Sequence, residues 1–228
     1  YLPKAQTIGD GAFSGCSALT DLNVIAAETV GASAFAGTSA LAQINLPNVQ
    51  SIGAHAFSGS SVTGLSLSAA LSSVAEQAFA GAESLASIAV DAANTLYLSE
   101  NGVLYRRTGT NDYVSLVAYP EGKQDAEFSL DQENTSLRVI RIGAYAFADN
   151  KHLQSVTLPV FLRVVGAAAF YGCDNLTRIE FLSATAPTLE SYAYTQADGT
   201  SDNVYNNFKT ALGDPGERNL TIVVPSNH

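Results

Sequence analysis

Basic residues are scarce in this chain: 11 Lys and Arg stand against 21 Asp and Glu, a formal net charge of −10 over 228 residues. A surface that holds nucleic acid or an anionic membrane needs clustered Lys and Arg, so neither is an expected partner. No run approaches the roughly 18 consecutive apolar residues of a membrane span, so no insertion is expected within this chain. There are only three histidines and two cysteines. The G-x-S-x-G elbow, the H-E-x-x-H pair and the phosphate-binding Gly-rich loop are all absent. His55 and His152 have no Cys, His or carboxylate at ligand spacing, which leaves no zinc site. The expectation is a protein without catalytic residues, cofactor or metal.

What the chain has in abundance is repetition. Aligned on Ala-Phe, six copies read IGDGAFSGCSALTDLNV from Ile8, VGASAFAGTSALAQINL from Val30, IGAHAFSGSSVTGLSL from Ile52, VAEQAFAGAESLASIAV from Val74, IGAYAFADNKHLQSVTL from Ile142 and VGAAAFYGCDNLTRIEF from Val165. Phe13, Phe35, Phe57 and Phe79 are 22 residues apart, Phe147 and Phe170 are 23 apart, and Phe79 to Phe147 is 68. That last gap is about three periods, so the register survives an irregular middle. A period of 20–29 residues in an L-x-x-L-x-L frame marks a leucine-rich solenoid.

Within each unit, apolar residues alternate with small or polar ones: Leu22 and Val24, Ile44 and Leu46, Leu65 and Leu67, Ile88 and Val90, Val156 and Leu158, Ile179 and Phe181. Alternation predicts a strand with one buried face. One such strand cannot bury its face alone; stacked units make a parallel sheet over a continuous core. The Gly-x-x-Ala-Phe stretch forms the returning side, with Phe in the core, Ala allowing close approach and Gly supplying a turn conformation.

These residues resemble a known family. The I-G-x-x-A-F-x-G-C-x-x-L-x-x-I-x-L-P pattern is similar to the BspA-like leucine-rich repeats of bacterial and protist surface proteins, over roughly residues 8–190. Glu100 to Tyr105 through Leu116 to Lys123 resembles an irregular hairpin unit of that family, and Phe181 to Leu189 with Leu220 to Pro225 resembles its ending. The resemblance implies an extracellular or cell-surface, non-catalytic binding or adhesion protein. The expected fold is one solenoid over 1–228: a right-handed leucine-rich-repeat coil with a parallel β-sheet on one face, and short strands, turns and a few helical turns on the other. Regular repeats occupy 8–91 and 142–183, a hairpin-like unit 92–141, and a capping segment 184–228. The chain opens inside a repeat, with no signal peptide or capping element before Ile8, as a mature or trimmed fragment would.

Several groups invite a functional reading and admit a plainer one. Cys16 and Cys173 share one repeat slot, about seven coils or on the order of 34 Å apart at ~4.8 Å per strand, whereas a disulfide needs Cα atoms within about 7 Å. Two buried thiols filling a small core position are expected instead. The slots of His55 and His152 tolerate varied residues and are expected to face solvent. Asp198, Asp202 and Asn203 offer oxygen ligands, but turn chemistry explains the same letters, and the EF-hand frame is missing. Asn134, Asn175 and Asn219 open formal glycosylation sequons, and Asn175 follows from the repeat itself.

Two features are candidates for binding. Stacked strands present an outward row of Asp21, Asn23, Gln43, Asn45, Gly64, Ser66, Ser87, Ala89, Ser155, Thr157, Arg178 and Glu180, an extended face of the kind solenoids use for partners. Tyrosines concentrate in the irregular segments: Tyr97, Tyr105, Tyr113 and Tyr119 in the middle, Tyr192, Tyr194 and Tyr205 near the end. Tyrosine suits protein contact and glycan stacking. The plainer reading packs the middle four into a hairpin across Val103–Arg107, a Thr-Gly-Thr-Asn turn and Tyr113–Val117. The partner is thus an extracellular protein or, alternatively, a glycan; a structural spacer in a larger surface protein is the third possibility.

Overall fold

Each regular coil closes through a run of tight turns around its anchor Phe, and those turns explain why no helix forms. Ala12 N–H donates to Gly9 O, Ser14 N–H to Gly11 O and Cys16 N–H to Phe13 O, each spanning three residues. The residue two before the anchor is left-handed in all six copies: Gly11 (φ 61°), Ser33 (52°), His55 (54°), Gln77 (59°), Tyr145 (55°) and Ala168 (52°). The residue two after it is left-handed as well, from Gly15 at 73° to Asp149 at 60°. A left-handed residue cannot continue a right-handed helix and costs about 1–2 kcal/mol when it is not glycine. Bonds to the next coil offset that cost: Ser33 N–H reaches Ala54 O at 2.9 Å and Phe35 N–H reaches Ala56 O at 2.8 Å. The few helical turns expected here are therefore replaced by turns bonded coil to coil.

The computed structural model describes residues 2–109, 112–131, 136–190 and 220–225, and among them there is no helix. Its strands are β1 (Thr7–Ile8), β2 (Thr29–Val30), β3 (Ser51–Ile52), β4 (Gly64–Leu67), β5 (Ser73–Val74), β6 (Ser87–Val90), β7 (Tyr97–Glu100), β8 (Val103–Arg107), β9 (Tyr113–Ala118), β10 (Glu127–Ser129), β11 (Arg138–Ile142), β12 (Ser155–Leu158), β13 (Val164–Val165), β14 (Arg178–Phe181), β15 (Thr188–Leu189) and β16 (Thr221–Val223). This is a parallel β-solenoid, as expected of a leucine-rich repeat. Two compact units make it up, Tyr1–Arg107 with Val117–Lys123, and Thr108–Leu116 with Gln124–His228.

In the first unit, β1, β2, β3 and β5 pair in parallel and in register, with Ile8, Val30, Ile52 and Val74 facing in. Thr7, Thr29, Ser51 and Ser73 line up outside them, a second strand row that apolar alternation does not reveal because each strand is two residues long. The expected row forms a ladder only at β4 and β6. Leu22–Val24 and Ile44–Leu46 point apolar residues inward without strand pairing, apart from a single bridge from Leu46 to Leu67. Phe13, Phe35, Phe57 and Phe79 form a stack, their ring centroids 5.5, 5.5 and 6.3 Å apart. Burying one such ring stabilises the fold by roughly 1.5–3 kcal/mol.

The glycine that opens Gly-x-x-Ala-Phe is not in a left-handed turn, contrary to expectation. Close packing requires it: a Cβ on Gly53 would stand 2.5 Å from the Ala32 nitrogen, and one on Gly166 2.4 Å from the Ala144 nitrogen. The fourth coil carries Ala75 at this position. There the coil-to-coil bonds slip by one residue, with Ala56 N–H, rather than that of Phe57, donating to Ala78 O.

The irregular segment is tied down by two devices. Asn101 (φ 52°) and Gly102 (φ 78°) form the tight turn of the antiparallel β7–β8 hairpin, the Asn-Gly pair such a turn favours. Asn94, 3% exposed, donates its amide to Ser68 O, Ala69 O and Leu71 O and accepts from Leu96 and Tyr97 N–H. Within the second unit, Thr108 N–H and Oγ1 both donate to Tyr113 O, at 3.0 and 2.9 Å. Glu121 then finishes the regular coils: its Oε1 accepts Gly81 N–H at 2.6 Å, standing in for a further coil's carbonyl.

The second unit repeats both rows. β9, β11, β13 and β15 form one parallel sheet, and β10, β12, β14 and β16 the other. Phe147 stacks on Phe170 at 4.8 Å and 11°, and Phe128 tilts against Phe147 at 5.8 Å. Cys173 is buried and donates its thiol to Phe147 O at 3.0 Å. Cys16 departs from the expectation: it is exposed, because among the described residues its coil has a neighbour on one side only.

Candidate binding surfaces

The outward row exists, in two separate stretches. In the first unit Asp21, Gln43, Asn45, Gly64, Ser66, Ser87 and Ala89 are exposed, and Asn23 is half-buried. Gly64 stands beside Ser87 and Ser66 beside Ala89 in the β4–β6 ladder. These side chains are short, so the face is smooth. In the second unit the columns are Glu127, Ser155, Arg178 and Thr221, then Ser129, Thr157, Glu180 and Val223. Arg178 pairs with Glu180 at 3.1 Å on the same strand. Both partners are substantially exposed, which makes the pair worth little in stability and leaves it open to exchange for a ligand.

The tyrosines divide by burial. Tyr97, Tyr105 and Tyr119 are 1–3% exposed and belong to the core. The Tyr97 hydroxyl accepts Val74 N–H at 3.2 Å. Burial, then the negative charge of Glu100, push the Tyr105 phenol well above its usual range. Tyr105 thus offers no surface, and the packing reading accounts for it. Tyr192, Tyr194 and Tyr205 lie outside the described residues, as do Asp198, Asp202, Asn203, Asn134 and Asn219.

Tyr113 differs from the rest. It is half-buried on β9, directly beside Arg138 of β11. Its ring meets the edge of Phe161 at 6.5 Å and 67°, while the Arg163 guanidinium lies 5.5 Å from its centroid. The Arg138 guanidinium lies 5.8 Å from the Phe161 centroid. Phe161 is 36% exposed and its neighbour Val160 47%. The register of β11 shifts between Val139 and Arg141, so that both Ile140 and Arg141 fall outside the core, half-buried. Arg141 grips Glu190 through both guanidinium nitrogens, one at 2.7 Å. Sequence reasoning named Tyr113 and missed its companions. The signal was the 23-residue step, which carries Arg138 to Phe161 one coil on.

His55 is half-buried in a left-handed slot rather than freely solvated, whereas His152 is exposed as expected. Among the described residues no three His, Cys, Asp or Glu side chains group to hold a metal, and no helix is long and apolar enough to cross a membrane.

Among solved structures the chain is similar to a leucine-rich repeat protein from Eubacterium ventriosum, with 22% identity and a TM-score of 0.65 over 98% of this chain. It spans 64% of that protein's chain. It is also similar to a leucine rich cell surface protein from Faecalibacterium prausnitzii, with 18% identity and a TM-score of 0.57, covering 98% of this chain and 70% of the other. Both likenesses concern the fold. No curated protein matches it. With six repeat copies matched over residues 4–102 and 126–213, the chain belongs to the BspA type leucine rich repeat region family.

Proposed function

We propose that this is a non-enzymatic, extracellular or cell-surface repeat protein that binds other proteins through the open faces of its coils. The observation that carries the reading is the outward strand row. Strand pairing fixes Ser155 beside Arg178 and Thr157 beside Glu180, so polar groups stand at a repeating spacing without being consumed by packing. The cell-surface description of the Faecalibacterium relative supports the location. A glycan reading loses part of its basis, because Tyr105 is buried and so cannot form an aromatic platform.

The test is a binding screen of the purified chain against extracellular-matrix proteins and a glycan array. Protein ligands at micromolar affinity are expected, weakened by Arg178→Ala with Glu180→Ala. Hits confined to glycans would replace the reading with the alternative; no hits at all would leave a structural spacer.

A further inference from the structure

We propose that the outer side of the β9–β11–β13 sheet, centred on Tyr113, Arg138, Phe161 and Arg163, docks an acidic extended segment of a partner protein. The inference rests on the protein-binding reading above and names a site and a partner chemistry for it.

The four side chains form a closed quartet. Each guanidinium lies over a ring, Arg163 on Tyr113 and Arg138 on Phe161, and the rings meet edge to face. Cation–π contacts of this kind hold long side chains in place. The entropy of ordering two arginines is therefore largely spent before any ligand arrives. Arginine, tyrosine and exposed apolar surface at Phe161 and Val160 are also the composition of interaction hot spots.

Charge then selects the partner. Arg141, Arg178 and Lys151 each have a carboxylate within 4 Å. Arg138 and Arg163 have none among the described residues, although the chain carries a net charge of −10. Among the described residues Glu190 is taken by Arg141, and neither Arg138 nor Arg163 forms an ion pair, so both guanidinium forks are open there. An open fork matches a carboxylate in two parallel hydrogen bonds. Sugar stacking needs a bare ring face, and here guanidiniums cover a face of each ring. Carboxylates spaced along an extended peptide fit this surface better than a saccharide ring does. A general attraction to anions is not implied, since the rest of the molecule repels them.

The test uses the full chain against an array of short synthetic peptides graded from glutamate-rich to lysine-rich at fixed apolar content, with heparin as a competitor. Retention of glutamate-rich peptides, weakened by salt, is expected. Arg138→Gln with Arg163→Gln should lower that affinity by about tenfold or more. Replacing both by Lys keeps the charge, loses the fork and should fall between. Arg106→Gln with Arg107→Gln removes equal charge from the other unit and should change little. Equal losses in both double variants would overturn the proposal, and so would a preference for heparin. Circular dichroism of each variant separates loss of binding from loss of fold. Protein ligands from the matrix screen that bind the Arg138/Arg163 double variant unchanged would sink this inference and leave the broader reading standing.

Discussion

Gly53 and Ala32 meet backbone to backbone: a Cβ on Gly53 would stand 2.5 Å from the Ala32 nitrogen and 2.9 Å from its Cα. No real contact is that short, so the coils must part if any side chain is added. The fourth coil, which carries Ala75 there, differs in this way: Ala75 N–H keeps its bond to Ile52 O, but from Gln77 to Gly81 the bonding slips by one residue and the Phe57–Phe79 separation widens to 6.3 Å. Gly53→Ala is expected to lower stability by about 2 kcal/mol, the usual range for overpacking. Gly9 supplies the control, because nothing lies within 4 Å of its would-be Cβ. Gly9→Ala should be neutral or slightly stabilising through the unfolded chain. Urea unfolding of the pair checks this, and equal midpoints would refute close approach as the reason for the glycine.

Asn94 joins the turn at Ser68–Leu71 to the start of the β7–β8 hairpin, two stretches of backbone that do not pair with each other. Its amide nitrogen serves three carbonyls, and its oxygen serves two N–H groups at 2.7 and 2.8 Å. Asn94→Leu would keep the volume and remove all five bonds, leaving Ser68 O with the Leu71 N–H alone, at a cost of about 3 kcal/mol or more. Asn94→Asp should also destabilise, because an acceptor-only carboxylate cannot serve the carbonyls. Thermal unfolding monitored by circular dichroism reads both. A loss in the Leu variant alone would show that the oxygen's two acceptances matter and the three donations do not.

Much of this was legible in the letters. The Phe anchors and the L-x-L residues gave the core correctly, since a large apolar side chain at a fixed period has nowhere else to go. The Thr7–Ser73 strand row escaped because two-residue strands carry no alternation to detect. The left-handed slots escaped for a different reason: Ser33, His55, Gln77, Tyr145 and Ala168 occupy a conformation normally advertised by Gly or Asn. At Ser33, His55 and Tyr145 the N–H in that conformation bonds to the next coil, and a single sequence does not display bonding. The Tyr113 quartet was half visible, as the ring could be named, but its guanidinium partners arrive from later coils through the register.

The Tyr105 phenol gives the fold a defined alkaline weakness. It is 1% exposed, and burial followed by the Glu100 charge raises its pKa well above the unfolded value of about 10. Below that value the phenol is neutral in both states and the group makes no pH-dependent difference. Above it the unfolded chain releases a proton that the folded chain retains, so the unfolded state gains. Stability attributable to Tyr105 is therefore constant below about pH 10 and falls by about 1.4 kcal/mol per further pH unit until the folded phenol also ionises. Tyr105→Phe keeps the ring and removes the proton. The urea midpoint of the variant should decline less steeply than that of the parent from pH 10 upward, at about 1.4 kcal/mol per unit less, with the two curves parallel below. Curves that stay parallel throughout would mean that the fold does not hold this phenol neutral.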